Sequence, residues 1–401
     1  MIRRLTETIW LVEGGKGGRY PYSHSLYIRD GGGVLVDCGS DLGEIARIRR
    51  EHGLAAVLMT HYHEDHFLFL HRFPDVPVWS SDGDAPALES FDVFLDWYGA
   101  SGTEAEPFFR NLFAEKFPYA PRAVARRISD GERLRIGRTQ IVAVVAPGHT
   151  PGHLCLHFPD DGILFMADYD LTAFGPWYGD RPGSIDAFRR SARMLAAIGA
   201  PVNVVSHEEP VHRGDIRGRI EKYLAVIDRR EEALRAFLAE PRTRDEIVAA
   251  RIVYGKERTG PWFDYGEWAL MSKHLERMQA SGDVVVHDGR YGLRRLPPEP
   301  GRNRLFFLEG GVELPGDPLR IEPLVPGRVD DRLHAVGPAL EAFRPEELPD
   351  LLPESRVVAE HVADDHLRPD RTFLRHRVFL PGAFFPLIIA GPSPSARTFR
   401  M

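Results

Sequence analysis

The segment Thr60-His61-Tyr62-His63-Glu64-Asp65-His66 sets four metal-capable side chains within six residues. It follows directly on an apolar run, residues 55–59, of the kind that forms a buried β-strand. A strand that ends in such a cluster delivers its imidazoles to the C-terminal edge of the sheet. Residues two apart in an extended stretch point the same way, so His61 and His63 can share one ion. Asp65 and His66 follow where the chain turns into a helix, and they can face a second ion. A His-rich surface loop is the competing reading. The spacing at a strand end favours metal.

Three further positions repeat that placement. His149 lies in Pro147-Gly148-His149-Thr150-Pro151-Gly152-His153, just after the apolar run 140–146. Asp168 follows the run 163–167, and His207 follows the run 202–206. If these strand ends lie side by side, His61, His63, Asp65, His66, His149, Asp168 and His207 converge on one edge. Histidine and carboxylate ligands together suit zinc, with iron or manganese as alternatives.

Many strands are needed to build that edge. Short β-type runs occupy 9–13, 25–29, 34–38, 76–80 and 154–158 as well, and turns rich in Gly and Asp separate many of them. Helical patterns intervene at 41–52 and 184–199. The class is α/β, in layers. One aromatic and helical insertion, 85–127, interrupts the pattern and is a candidate cap with an apolar substrate wall; ordinary packing on the sheet is the simpler reading.

The chain has 401 residues, enough for two or three domains. Residues 1–214 hold all the candidate ligands. Residues 215–296 read as helix, helix, hairpin, a winged-helix-like order, with a Thr243/Glu246 capping box at the second helix. The would-be recognition helix is close to neutral, so self-association into a homo-oligomer is expected of this module rather than DNA binding. Residues 297–401 carry half of the 32 prolines and read as a β-rich appendage of unknown role. Its group His361, Asp364, Asp365 and His366 has no strand end behind it and is not taken as a metal site. The net charge of −7 argues against a dedicated nucleic-acid binder. Cys38 and Cys155 lie in apolar runs and are expected as buried free thiols of a cytoplasmic protein. No stretch approaches a membrane span.

The motif His61-x-His63-x-Asp65-His66, followed in order by His149, Asp168 and His207, resembles that of the metallo-β-lactamase superfamily over residues 1–210. The resemblance implies an αββα sandwich with the site at one edge of two sheets. It implies one ion held by His61, His63 and His149, a second held by Asp65, His66 and His207, and Asp168 bridging them. It gives Asp37 the task of orienting an imidazole through its distal N–H. The segment after the core also resembles the branch that contains β-lactamase-like protein 2 and glyoxylase-type hydrolases. Phe67-Leu68-Phe69 departs from the family's usual Gly and is expected to narrow the approach. His24 stands where Asn is usual, and His207 lies in Ser206-His207-Glu208 rather than after Gly.

The implied chemistry is hydrolysis. Two ions about 3.5–4 Å apart share a water and lower its pKa toward neutrality, and the bridging hydroxide attacks an acyl carbon or a phosphorus. Asp65 could accept a proton, and His207 completes the site at which this happens. The expected substrate is a thioester, ester or lactone of a small acyl group. The alternative is a phosphodiesterase acting on single-stranded RNA, for which Arg110, Arg122, Arg126 and Arg127 are the local groove candidates. A mononuclear iron oxygenase and a non-enzymatic partner-binding protein fit the full ligand set less well. Tyr169 or Tyr178 could donate to an oxyanion, Trp177 borders the site, His212 could touch substrate, His153 reads as structural, and Glu64 is expected to point away from the ions.

Overall fold

The computed structural model describes residues 1–294 and a short antiparallel pair, Arg375–His376 with Leu387–Ile388. The proline-rich appendage otherwise lies outside the described residues, and so does the group around His361.

Two sheets form the centre. The first runs in chain order: β1 (Ile2–Arg4), β2 (Ile9–Val12), β3 (Ser25–Ile28), β4 (Val34–Val36), β5 (Ala56–Leu58), β6 (Val78–Ser81) and β7 (Val124–Ile128). Pairing is antiparallel from β1 to β4 and parallel from β4 to β7. The second comprises β8 (Arg133–Ile136), β9 (Thr139–Val145), β10 (Leu154–Phe158), β11 (Ile163–Phe165), β12 (Val202–Val204) and β13 (Val211–Arg213), in the order β13-β12-β11-β10-β9-β8. Only β11 and β12 pair parallel in it.

Near-continuous apolar strands need cover on both faces. In β2, Ile9 and Leu11 point into the core shared by the two sheets, while Trp10 and Val12 point outward. Leu26, Ile28, Val34, Val36, Ala56 and Leu58 meet Ile141, Leu154, Leu156, Phe165 and Val204 across the sandwich. The alternation is the period-two rule applied to strands buried on both sides.

Helices cover each outer face. After a kinked turn, α1 (Gly15–Gly18), come α2 (Leu42–His52), α3 (Glu64–Phe67), α4 (Ala85–Glu89), α5 (Phe91–Trp97) and α6 (Glu106–Glu115). Asp41 caps α2 by accepting from the Glu44 N–H at 2.8 Å. On the first sheet, Ile45 and Ile48 of α2 share one apolar cluster with Phe94, Phe109 and Phe113 of the insertion. The segment 85–127 is therefore helical only in part: its end, from Val124, is the edge strand β7. Phe94, Phe109 and Phe113 fill a core rather than line an open wall, being fully buried, while Phe108 is exposed.

The other face carries α7 (Ile185–Ile198), α8 (Arg217–Phe237), α9 (Arg244–Ala250) and α10 (Pro261–Ala280). A small sheet, β14 (Arg242–Thr243), β16 (Arg290–Leu293) and β15 (Val284–His287), completes the segment. The Thr243/Glu246 capping box forms, with its two hydrogen bonds at 2.7 and 3.2 Å. Phe188 and Leu195 of α7, Leu224 and Ile227 of α8 and Leu270 and Met271 of α10 share one hydrophobic cluster. Both cysteines are buried and free. Among the described residues no helix is long and apolar enough to cross a membrane.

Glu231 joins α8 to α10. It accepts from Arg277 Nη1 at 2.5 Å and from His274 Nδ1 at 3.3 Å. The His274 bond, working against burial and aided by Arg277, lowers its pKa from 4.5 to about 2. A depressed carboxylate stabilises the fold above its unfolded pKa, and that stabilisation is lost as pH falls through the folded one. Glu231→Gln is therefore expected to lower Tm at pH 7. The gap from the parent should narrow as pH falls from 4.5 to about 2. Thermal unfolding of both proteins across that range checks it.

Candidate metal centre

All seven ligand candidates are brought together, and they fall into two groups. His61, His63, His149 and Asp168 form one, and Asp65, His66 and His207 form the other. Within each group the ligand atoms lie within 4.8 Å of one another. Asp168 stands between them. Its Oδ2 is 3.4 Å from His149 Nε2 and 3.8 Å from His61 Nε2. Its Oδ1 is 2.9 Å from His66 Nε2 and 3.4 Å from His207 Nε2. One oxygen thus serves each group.

Outer partners fix which nitrogen of each ring is free. His66 Nδ1 donates to Asp37 Oδ2 at 2.9 Å. Thr60 Oγ1 donates to the same carboxylate at 2.8 Å, so it can only accept from His61 Nδ1, 3.0 Å away. His149 Nδ1 donates to the Trp177 carbonyl at 2.9 Å, and His207 Nδ1 to the Gly18 carbonyl at 2.8 Å. In its neutral form each of these four rings presents a bare Nε2 to the site; His66 and His207 must first give up the proton that Asp168 stabilises there. His63 is reversed: its Nε2 donates to Asp180 Oδ2 at 2.8 Å, which leaves Nδ1. Partners of this kind orient ligands and raise their basicity.

The donor set fits two cations. His61 Nε2 and His149 Nε2 face each other at 3.1 Å, lone pair toward lone pair. His66 Nε2 and Asp168 Oδ1 are buried and 2.9 Å apart, yet neither is aligned for a hydrogen bond with the other or with any further group. Buried polar atoms are rarely left so. A cation at the focus of each group would satisfy them. Burial, then the His66 charge, holds His61 well below the usual histidine range, and burial with His63 lowers His149 to about 4. Both are therefore neutral at pH 7, as ligation requires. Burial opposes charge on His63 and His207 too, but Asp180 raises the first to about 9 and Asp168 the second to about 10. Each must release a proton when a cation binds.

The backbone bends sharply to aim these groups. Asp37 after β4, Ala167 before Asp168 and Glu208 after His207 all have positive φ, at 60°, 47° and 55°. Non-glycine residues adopt such angles at a cost and cluster where function demands them. Gly148, with φ 134°, precedes His149; a Cβ there would lie 2.2 Å from the Phe188 nitrogen. Gly39 allows α3 its close approach, since a Cβ there would lie 1.6 Å from the Asp65 carbonyl oxygen.

Other expectations divide. His153 is structural: its Nε2 accepts the Asp168 N–H at 3.3 Å. Glu64 points away from the ligands and accepts from Tyr20 at 2.7 Å and from Tyr98. Neither Tyr169 nor Tyr178 is free to donate to an oxyanion. Tyr169 donates to the Ala146 carbonyl at 3.0 Å, and the Tyr178 hydroxyl pairs with His274 at 2.8 Å. Phe67 and Leu68 do not narrow an approach; they are buried in the cluster beneath the insertion, with Phe67 against Phe94 and Tyr119. His24 supports the His207 loop, donating from Nε2 to the Glu208 carbonyl at 3.0 Å while Nδ1 accepts from Gly14. His212 lies on β13 and bonds Arg219.

Two supporting carboxylates escaped sequence reasoning. Asp180 holds His63 and also accepts from Trp177 Nε1 at 2.9 Å and from Tyr62. Asp84 accepts from Thr150 Oγ1 and the Gly152 N–H, both at 2.6 Å, and so holds the loop that carries His149. Burial pushes its carboxyl up to about 7 against those two bonds. Neither residue has a spacing that ties it to the ligands; each reaches them only through the fold.

Residues 18–207 match the profile of the metallo-beta-lactamase superfamily. The lactamase-like protein nscB of Neosartorya fischeri is 22% identical over 219 residues, 53% of this chain and 55% of that protein. The chain thus spans about half the length of that relative. A hydroxyacylglutathione hydrolase of Xanthomonas euvesicatoria is 25% identical over 54% of this chain and 71% of its own. An acyl-coenzyme A thioesterase of Gallus gallus is 29% identical over 172 residues, 40% of this chain and 56% of its own. A metallo-beta-lactamase family protein of Thermus thermophilus shares the fold, with TM-score 0.55 and 24% identity over 73% of this chain and 100% of that one.

The full chain, purified without chelator, is expected to carry two divalent ions. Elemental mass spectrometry checks this, and Asp168→Ala should lose at least one of them. Asp180→Ala should weaken metal affinity by roughly 10- to 100-fold by freeing His63 to rotate. An unchanged affinity in a competition titration would rule out that support.

Proposed function

We propose that this chain, whose residues 18–207 form a metallo-beta-lactamase superfamily domain, is a metal-dependent hydrolase of a thioester, ester or lactone with a small acyl group. The observation that carries the reading is the Asp168 carboxylate facing two complete ligand groups. His61, His63 and His149 would hold one ion, Asp65, His66 and His207 the other, and Asp168 both. Zinc suits this mixture of imidazole and carboxylate, with iron or manganese as alternatives. When bound, such ions supply Lewis acidity toward an acyl oxygen and lower the pKa of a coordinated water.

The protein's own groups do the rest. Asp65 is the proton acceptor of the site. Asp37, Asp84 and Asp180 each accept hydrogen bonds from structural donors, whereas the Asp65 carboxylate faces two ligand imidazoles, His207 Nε2 at 3.3 Å and His66 Nε2 at 3.9 Å. His207 is shared between Asp65 and Asp168, so it holds the two carboxylates toward one point. The buried surroundings exclude bulk water and strengthen every charge interaction there.

The names of two relatives, a hydroxyacylglutathione hydrolase and an acyl-coenzyme A thioesterase, support an acyl substrate. The RNA reading loses its groove. Arg110 pairs with Glu106 and Asp92, Arg126 with Glu132, and Arg127 with Glu89. Arg122 is spent on the carbonyls of Leu70 and Phe73.

One parallel assay tests the proposal: acyl thioesters, lactones and short RNA, each with zinc, manganese or iron. At least one acyl substrate should turn over. Asp65→Asn should lower kcat by roughly 100-fold or more, and His61→Ala should abolish the activity. RNA cleavage alone would overturn the acyl reading.

A further inference from the structure

Away from the metal centre, a groove of about 430 Å³ is lined by Arg3, Arg4, Arg213, Arg219, His212 and Glu209, among others. Its walls come from β1 and β13, the edge strands of the two sheets, and from the first turn of α8, which carries Arg219. In a chain of net charge −7, four arginines meet one carboxylate here. Other arginines of α7 and α8 are neutralised: Arg193 by Glu221, Arg189 by Asp228 and Arg217 by Asp215. Among the described residues, Arg3, Arg4, Arg213 and Arg219 form no ion pair; Arg4 stacks over the Trp10 ring at 5.1 Å.

His212 supplies the second observation. It is only 6% exposed. Arg219 Nη1 lies 3.0 Å from its Nδ1. A guanidinium can only donate, so Nδ1 accepts and a neutral ring carries its proton on Nε2. Burial and then Arg219 lower the His212 pKa, with Glu209 opposing through its charge and backbone, so the neutral ring is favoured. That Nε2 is buried and makes no well-aligned hydrogen bond, although the Glu209 backbone pulls on it. Every unspent group of the groove except Glu209 is thus a donor, and the missing partner is an acceptor rich in oxygen.

We propose that this groove binds a phosphorylated small molecule through its phosphoryl oxygens, with Arg213 and Arg219 as principal contacts and His212 Nε2 donating at the base. The guanidinium fork matches phosphate geometry in a way an ammonium does not. The volume lies in the range of roughly 300–1,000 Å³ that small-molecule pockets occupy, beyond the needs of one inorganic ion. Two sources share this chemistry. One is the nucleotide end of a coenzyme A thioester undergoing the proposed hydrolysis, since Glu209 of the groove lies two residues after the ligand His207. The other is a separate phosphorylated effector.

Calorimetric titration of the full, metal-loaded chain with inorganic pyrophosphate tests the site. Binding should weaken as salt rises, and the double variant Arg213→Ala/Arg219→Ala should lose at least about tenfold in affinity. Both side chains are exposed and neither belongs to a ligand group, so metal content should stay at the parental value, while loss of the Arg219 bond to His212 should lower Tm only modestly. His212→Leu, which removes the orphan donor, should weaken binding as well. No binding by the parent, or equal binding by the double variant, overturns the proposal. Hydrolysis of a coenzyme A thioester and of the matching N-acetylcysteamine thioester separates the sources. A KM raised about tenfold for the first alone assigns the groove to substrate. Unchanged KM values with pyrophosphate binding lost assign it to a separate ligand. Absence of all hydrolysis would count against the proposed function and leave the pyrophosphate result to decide the groove.

Discussion

Asp168 turns one carboxylate oxygen toward each of two groups of imidazoles, in a largely buried place. Charged and polar groups so placed are costly unless each is paired. Much of the surrounding architecture follows from that demand. Asp37, Asp180 and the carbonyls of Gly18 and Trp177 each fix an imidazole, and Asp84 fixes the loop beneath His149. The strands stop short so that their following residues can turn inward. The positive φ angles at Asp37, Ala167 and Glu208 are the local cost of that turning.

Support reaches α3 from far outside the sandwich. Glu64 stands beside two ligands and accepts from Tyr20 and Tyr98. The Tyr98 carbonyl in turn accepts from Tyr265 of α10 at 2.5 Å, and the two rings stack. A line of contacts thus joins α10, the aromatic insertion and the helix that bears Asp65 and His66. The insertion's rings are consumed in this packing. Burial raises the Glu64 carboxyl while its tyrosine bonds act to lower it, so the carboxylate depends on both partners for its satisfaction.

Charge is distributed unevenly over the fold. The arginines that could have formed a polyanion track around the insertion are neutralised by neighbouring acids or held by carbonyls. Those along β1, β13 and the first turn of α8 are not, and they surround a buried imidazole whose N–H has no well-aligned acceptor. Net charge alone concealed this contrast, because a sum says nothing about where opposite charges meet.

The ligands were legible in the chain because ligation is carried by residue type at strand ends. Alternation and apolar runs mark a strand, and His61, His63, His149, Asp168 and His207 each stand just past one. The capping box at Thr243 and the free, buried thiols were legible for the same local reason. Asp180 and Asp84 were not, since a loop acid looks the same whether it faces solvent or a histidine 117 positions away. Phe67 and Tyr169 mislead a reader of the chain because an aromatic beside a ligand can face either the site or the core, and only packing chooses. The sequence by itself determined which atoms could bind metal. The tertiary structure decided which nitrogen of each ring is bare and which carboxylate is shared, because those depend on partners that distant segments supply.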